Sequence, residues 1–75
     1  MVGGLRMNGE VGDYIVFYDE ASGKASTKEF KKLNDSLKWC ENNSKSTGCE
    51  DYDIFIIMSD DKKDLAFIGG FYYAS

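Results

Sequence analysis

Three stretches of the chain concentrate β-branched and aromatic residues: DYIVFYD at 13–19, YDIFIIMS at 52–59 and DLAFIGGFYYA at 64–74. Each reads as a strand, and turn-forming runs bound them: EASGK after the first, DDKK between the other two. Between residues 24 and 45 the pattern changes to a polar background with apolar residues at wider spacing. There the reading forks. In one arrangement Ser26 and Glu29 form a capping box and Phe30, Leu33, Leu37 and Cys40 make one stripe of a helix over 27–43, giving β-α-β-β. In the other, 24–30 pairs back on 13–19 as a polar edge strand ending at Phe30, and a shorter helix covers 33–43, giving β-β-α-β-β. The second is preferred, because Asn34-Asp35-Ser36 makes a poor helix interior and a good first turn. Asn42, Asn43 and the run SKSTG end the helix in either arrangement. The fold class is α+β, an antiparallel sheet of three or four strands with one helix packed on one face.

A strand points successive side chains to opposite faces. Tyr14, Val16 and Tyr18 then oppose Ile15 and Phe17, while Tyr52, Ile54, Ile56 and Met58 oppose Phe55 and Ile57. In the last strand Leu65, Phe67, Phe71 and Tyr73 fall on one side and Ala66, Ile68, Tyr72 and Ala74 on the other. Leu65 and Phe67 continue the face assigned to the core. Gly69-Gly70 points to a bulge, a sharp twist or close approach by another backbone. Both faces are apolar, yet a helix ~10–12 Å across covers only one face of a sheet whose strands lie ~4.8 Å apart. The second face must meet the N-terminal arm, another copy of the chain or a partner. Residues 1–12, with four glycines, read as that loose arm, ahead of a single domain over 13–75; Asn8-Gly9 leaves room for an extra short strand at 4–7.

Seventy-five residues make one small domain of marginal stability, and a hydrophobic fraction of 43% with 15% aromatics belongs to a chain that folds. The net charge of −4 is unevenly spread. Residues 24–45 hold six lysines against Glu29, Asp35 and Glu41, a balance of +3, which leaves −7 for the rest. A basic side and an acidic side are expected. No apolar run reaches the ~20 residues of a membrane span and the first residues have no signal-peptide core, so the expected location is the cytoplasm, with no membrane partner. Cys40 and Cys49 fit no CxxC or zinc spacing; they read as reduced thiols, with a bridge from the helix to the following loop sterically conceivable.

Histidine is absent, which removes triads, Cys-His pairs and histidine metal sites from consideration. Neither GxxxxGK[ST] nor GxGxxG occurs. Acid pairs at Asp19-Glu20, Glu50-Asp51-Asp53 and Asp60-Asp61-Asp64 fall in expected turns and read as solvated tips. The expectation is a protein that is not an enzyme, with no cofactor and no metal. Trp39 lies about 130° from the centre of the Leu33, Leu37 and Cys40 stripe on a helix, at the edge of the core, where it either seals the helix-sheet seam or anchors a partner.

The run YIVFYDEASGKASTKEFKKLNDSLKW resembles, over about a third of the chain, the small sheet-plus-helix arm-binding domains of tyrosine recombinases: a tyrosine-bearing strand, a Gly-Lys turn, a Phe-ending strand and a Trp-bearing helix in order. That resemblance implies DNA binding through a sheet. In size and character the chain also resembles phage-encoded host-takeover and anti-defence proteins of the anti-CRISPR type, which implies an inhibitor acting in the host cytoplasm. The expected function is therefore a non-catalytic protein-binding module, an inhibitor or adaptor. It would engage a larger protein, or itself as a homodimer, through Trp39, Ile68 and Tyr72 with Asp19, Glu20, Asp60 and Asp61 at the rim. The alternative is nucleic-acid binding through Lys24, Lys28, Lys31, Lys32 and Lys38, which the net charge disfavours.

Overall fold

The computed structural model describes residues 10–73. Its elements run β1 (Tyr14–Asp19), β2 (Ala25–Phe30), α1 (Leu33–Thr47), β3 (Asp51–Ile57) and β4 (Leu65–Tyr72). The strands form one antiparallel sheet in the order β2-β1-β3-β4, and α1 lies across β1 and β2 on one face of it. The fold is α+β with the β-β-α-β-β order. ASTKEF is thus a strand, and the capping box at Ser26 does not open a helix. Most of the glycine-rich arm, including positions 4–7, lies outside the described residues. Residues 10–12 are tied to the sheet: Gly12 N donates to Ile57 O at 2.8 Å and Ile57 N to Asp13 O at 2.9 Å, which carries the β1–β3 pairing past the strand end.

The β1–β2 hairpin closes because Gly23 takes a φ of +91° and its N–H donates to Glu20 O at 2.8 Å. At the start of α1, Lys32 occupies the N-cap without a side-chain cap bond, and Asp35 in the first turn complements the helix dipole. The expected helix end at Asn43 is corrected: α1 continues through Ser44 to Thr47 and stops at Gly48, whose φ of +83° forms a left-handed cap with its N–H on Ser44 O at 2.9 Å. Polar residues that compete with a helix elsewhere are engaged here. Asn43 Nδ2 donates to Tyr52 Oη at 3.0 Å, Ser44 Oγ to Tyr73 O at 3.4 Å and Thr47 Oγ1 to Asn43 O at 2.8 Å.

The core lies between α1 and the sheet. Val16, Cys40, Tyr52 and Ile54 are buried, flanked by Tyr14, Tyr18, Phe30, Leu33, Leu37, Trp39, Cys49, Phe71 and Tyr73. One side-chain assignment is overturned. The β3–β4 register steps from Ile54↔Gly69 to Phe55↔Phe67, leaving Ile68 as the extra residue of a bulge. An extra residue reverses the alternation of side chains beyond it. Leu65 and Phe67 therefore share the face away from the helix with Gly70 and Tyr72, whereas Phe71 and Tyr73 join the core. Phe67 is 60% exposed rather than buried.

Candidate protein-docking face

On the sheet face opposite α1, three phenylalanines from three adjacent strands form a ladder. The Phe17 and Phe55 rings meet edge to face at 5.2 Å between centroids, and Phe55 meets Phe67 in the same way at 5.3 Å. The register explains it: Ile15 stands opposite Phe55, so Phe17 lies one step along and diagonal to it, while Phe55 stands directly opposite Phe67. Beyond Phe67 the strand has no side chain at Gly70, where an added Cβ would stand 3.1 Å from Asp53 Oδ1 and 3.8 Å from Phe67 Cζ. The outer ring thus leans toward the glycine gap. Phe17 is 37%, Phe67 60% and Tyr72 64% exposed. At the end of this face nearest Asp13 the picture differs, because Ile15 and Ile57 are buried.

Among the described residues, the charged strand positions of this face all have one sign: alternation places Asp19, Glu29, Asp51 and Asp53 on it, and no Lys or Arg. Beside Tyr72, Glu50 Oε1 accepts the phenol hydrogen at 3.2 Å, and that carboxylate raises the Tyr72 pKa above the ordinary phenol value. Asp19, Glu20, Glu50 and Asp51 also line a cleft of about 270 Å³ against Thr47 and Gly48 at the C-terminus of α1. The negative end of the helix dipole lies there too.

The residues expected to form one site are distributed over the molecule. Trp39 is half-buried in the helix-sheet seam, 5.1 Å from Tyr18, 5.9 Å from Phe30 and 6.2 Å from Tyr52 between ring centroids, with Lys28 Nζ 5.9 Å from its ring. That places it on the other side of the sheet from Tyr72. Ile68, 42% exposed, sits at the bulge. Asp19 and Glu20 stand at the Tyr72 end of the sheet, where Glu20 accepts a hydrogen bond from Ser26 Oγ across the hairpin. Asp60 and Asp61 belong to the β3–β4 turn at the far end. Asp61 Oδ1 accepts from Ser59 Oγ at 2.6 Å and Lys63 N at 3.0 Å, and these bonds lower its pKa while they shape the turn. The structure therefore brings Tyr72 and Asp19 to the open face and keeps Trp39, Asp60 and Asp61 apart from it. Phe17, Phe55, Phe67, Asp51 and Asp53 complete the face; alternation along β1 and β3 was the signal for all but Phe67, and the glycine pair, which marks the bulge, was the signal for Phe67.

The lysines at 24–38 do not line up with the aromatic ladder. Lys28 projects to the helix side, Lys31 Nζ pairs with Asp13 Oδ2 at 3.2 Å, Lys24 lies in the β1–β2 turn, Lys32 precedes α1 and Lys38 is exposed on α1. Among the described residues no three potential ligands converge to hold a metal ion, and no helix is long and apolar enough to cross a membrane. Both cysteines are free. Burial, with a smaller contribution from neighbouring Cys49, pushes the Cys40 thiol up to about 11, which disfavours the nucleophilic thiolate at neutral pH. Iodoacetamide at pH 7.5 is expected to label Cys49, which is half-exposed, and to reach Cys40 only after denaturant is added; intact-mass and peptide analysis reads the difference. Equal labelling of the two in native protein would contradict the burial of Cys40. No protein-family model, no curated protein and no solved structure matches this chain, so the reading of the face rests on its own chemistry.

Proposed function

We infer that the protein is a small non-catalytic binding module, an inhibitor or adaptor that engages a larger protein through the open sheet face. The observation that carries this reading is the Phe17-Phe55-Phe67 ladder, with Phe17 and Phe67 left exposed on the side of the sheet that α1 does not cover. Clustered aromatic rings in contact with water are costly for a monomer and are the side chains on which interface energy concentrates. A host-directed inhibitor of the phage anti-defence type, working in the cytoplasm, fits a chain of this size whose chemistry is binding. Catalysis has little to work with: histidine is absent from the sequence and the Cys40 thiol is held in its protonated form. Nucleic-acid binding has less support, because stacking aromatics and phosphate-binding lysines must share one surface, whereas the exposed rings here are flanked by carboxylates.

Phe67→Ser tests the proposal. Wild-type protein immobilised on beads is expected to retain a specific protein from a host-cell extract, and the folded variant to retain it ~30-fold less, equivalent to the ~2 kcal/mol of a lost aromatic anchor. Circular dichroism confirms that the variant is folded. Equal retention by both proteins would remove the open face from the interaction. A short oligonucleotide bound with a steep salt dependence, and lost with Lys31→Ala and Lys32→Ala together, would favour the nucleic-acid reading instead.

A further inference from the structure

We propose that the segment docking on the open face is basic and amphipathic, placing apolar side chains on Phe17, Phe55 and Phe67 and the head group of a Lys or Arg among Asp19, Asp51 and Asp53. This rests on the docking reading above and goes beyond it to the chemistry of the partner. Two independent features of the surface converge. The first is the apolar ladder itself. The second is the set Asp19, Asp51 and Asp53 around it, which no described side chain pairs with. Among the described residues the ion pairs join Lys31 to Asp13 and Lys45 to Glu41, and no side-chain hydrogen bond or ion pair holds Asp19, Asp51 or Asp53.

Asp53 stands opposite Phe17 on one side and Gly70 on the other, so its carboxylate lies within the aromatic surface rather than at a remote rim. Asp51 stands opposite Tyr72. With Asp19 it also lines the cleft at the end of α1, where the helix dipole adds to the negative potential. Carboxylates kept unpaired beside an apolar surface hold it in water while the protein is free, and they reject acidic or neutral partners. A long cationic side chain fits both demands, because its methylene stem packs on rings while its head group reaches a carboxylate. A second copy of the chain fits poorly. A two-fold interface sets the same patch against itself, and so one acidic patch against another.

Two synthetic seven-residue peptides that alternate Val or Phe with either Lys or Glu serve as probes, titrated into isotope-labelled full-length protein and followed by amide chemical shifts. At ~0.05 M salt the Lys peptide is expected to bind at least tenfold more tightly than the Glu peptide, with the largest shifts at Phe17, Asp53, Phe55 and Phe67. At ~0.5 M salt the preference should shrink several-fold through screening. Asp51→Asn with Asp53→Asn should lower affinity for the Lys peptide about tenfold and leave the Glu peptide unweakened, in a protein whose spectrum otherwise matches wild type. Equal affinity for the two peptides, absence of Lys-peptide binding, or shifts confined to the helix side would each overturn the proposal. So would concentration-dependent shifts at the same residues without peptide, which would make a second copy the occupant. The docking reading stands or falls separately. If both peptides bind equally and Phe67→Ser weakens both, the face docks partners but does not select basic ones.

Discussion

Tyr52→Ala is expected to cost about 3–5 kcal/mol, close to the whole stability of a domain this small. Tyr52 is 1% exposed and stands at the centre of the aromatic core, with Tyr18, Trp39 and Tyr73 rings at 6.0, 6.2 and 5.8 Å. Its hydroxyl joins two elements: it accepts from Asn43 Nδ2 at 3.0 Å and donates to Cys49 O at 3.1 Å, linking the last turns of α1 to the segment that enters β3. Truncation to alanine therefore leaves a cavity and two polar groups without partners at once. Tyr52→Phe separates these effects, since it keeps the ring and should cost only about 1–2 kcal/mol. Urea unfolding followed by fluorescence and circular dichroism measures both. Phe67→Ala is the matched comparison from the other face and should remain within about 1 kcal/mol of wild type, because its ring is already exposed. If Phe67→Ala proved as damaging as Tyr52→Ala, both faces would be core and the open face would lose its meaning.

Much of this architecture is legible in the sequence, for identifiable reasons. Strand β1 carries five β-branched or aromatic residues in a row and β3 carries four after Asp53, and Asn34-Asp35-Ser36 marks the first turn of α1, so the element order follows from local preferences. The helix end does not. Asn43, Ser44 and Thr47 favour a turn on local grounds, and the partners that keep Asn43 and Ser44 helical, Tyr52 and Tyr73, are remote in sequence. The last strand shows a different limit. Gly69-Gly70 announces a bulge, but the residue that carries the phase change depends on how β3 pairs with β4, and that pairing places it at Ile68. One residue of register decides whether Phe67 is core or surface. The site is legible to the same degree: an uncovered apolar face and a charge asymmetry are visible in the chain, whereas the grouping of Phe17, Phe55 and Phe67 with Asp51 and Asp53 appears only once the strands are set side by side. Trp39, conspicuous in the sequence, is held in the seam by Tyr18, Phe30 and Tyr52.

Alkaline titration is expected to weaken the fold from about pH 9 upward, and the groups responsible are Cys40 and Tyr52. Burial pushes Cys40 from its ordinary 9.0 up to about 11 and Tyr52 from 10.0 up to about 12. In both cases the folded state holds its proton more tightly than the unfolded chain. As pH rises through the interval between the two values, the unfolded chain binds fewer protons, so stability falls with pH; below the unfolded value the contribution is complete and constant. Each group removes stability at about 1.4 kcal/mol per pH unit across its interval, first Cys40 between pH 9 and 11 and then Tyr52 from pH 10 upward. The loss is large for a domain this size. Urea midpoints measured in steps between pH 7 and 11 should therefore stay level to about pH 9 and then fall steeply. Cys40→Ala removes the first ionisation and should move the onset up by about one pH unit, even though the lost sulfur lowers the plateau; Tyr52→Phe should flatten the decline above pH 10. A midpoint that stayed level to pH 11 in the wild-type protein would show that neither group is sealed from water. The contact between α1 and β3 would then be looser than the hydrogen bonds of Tyr52 imply.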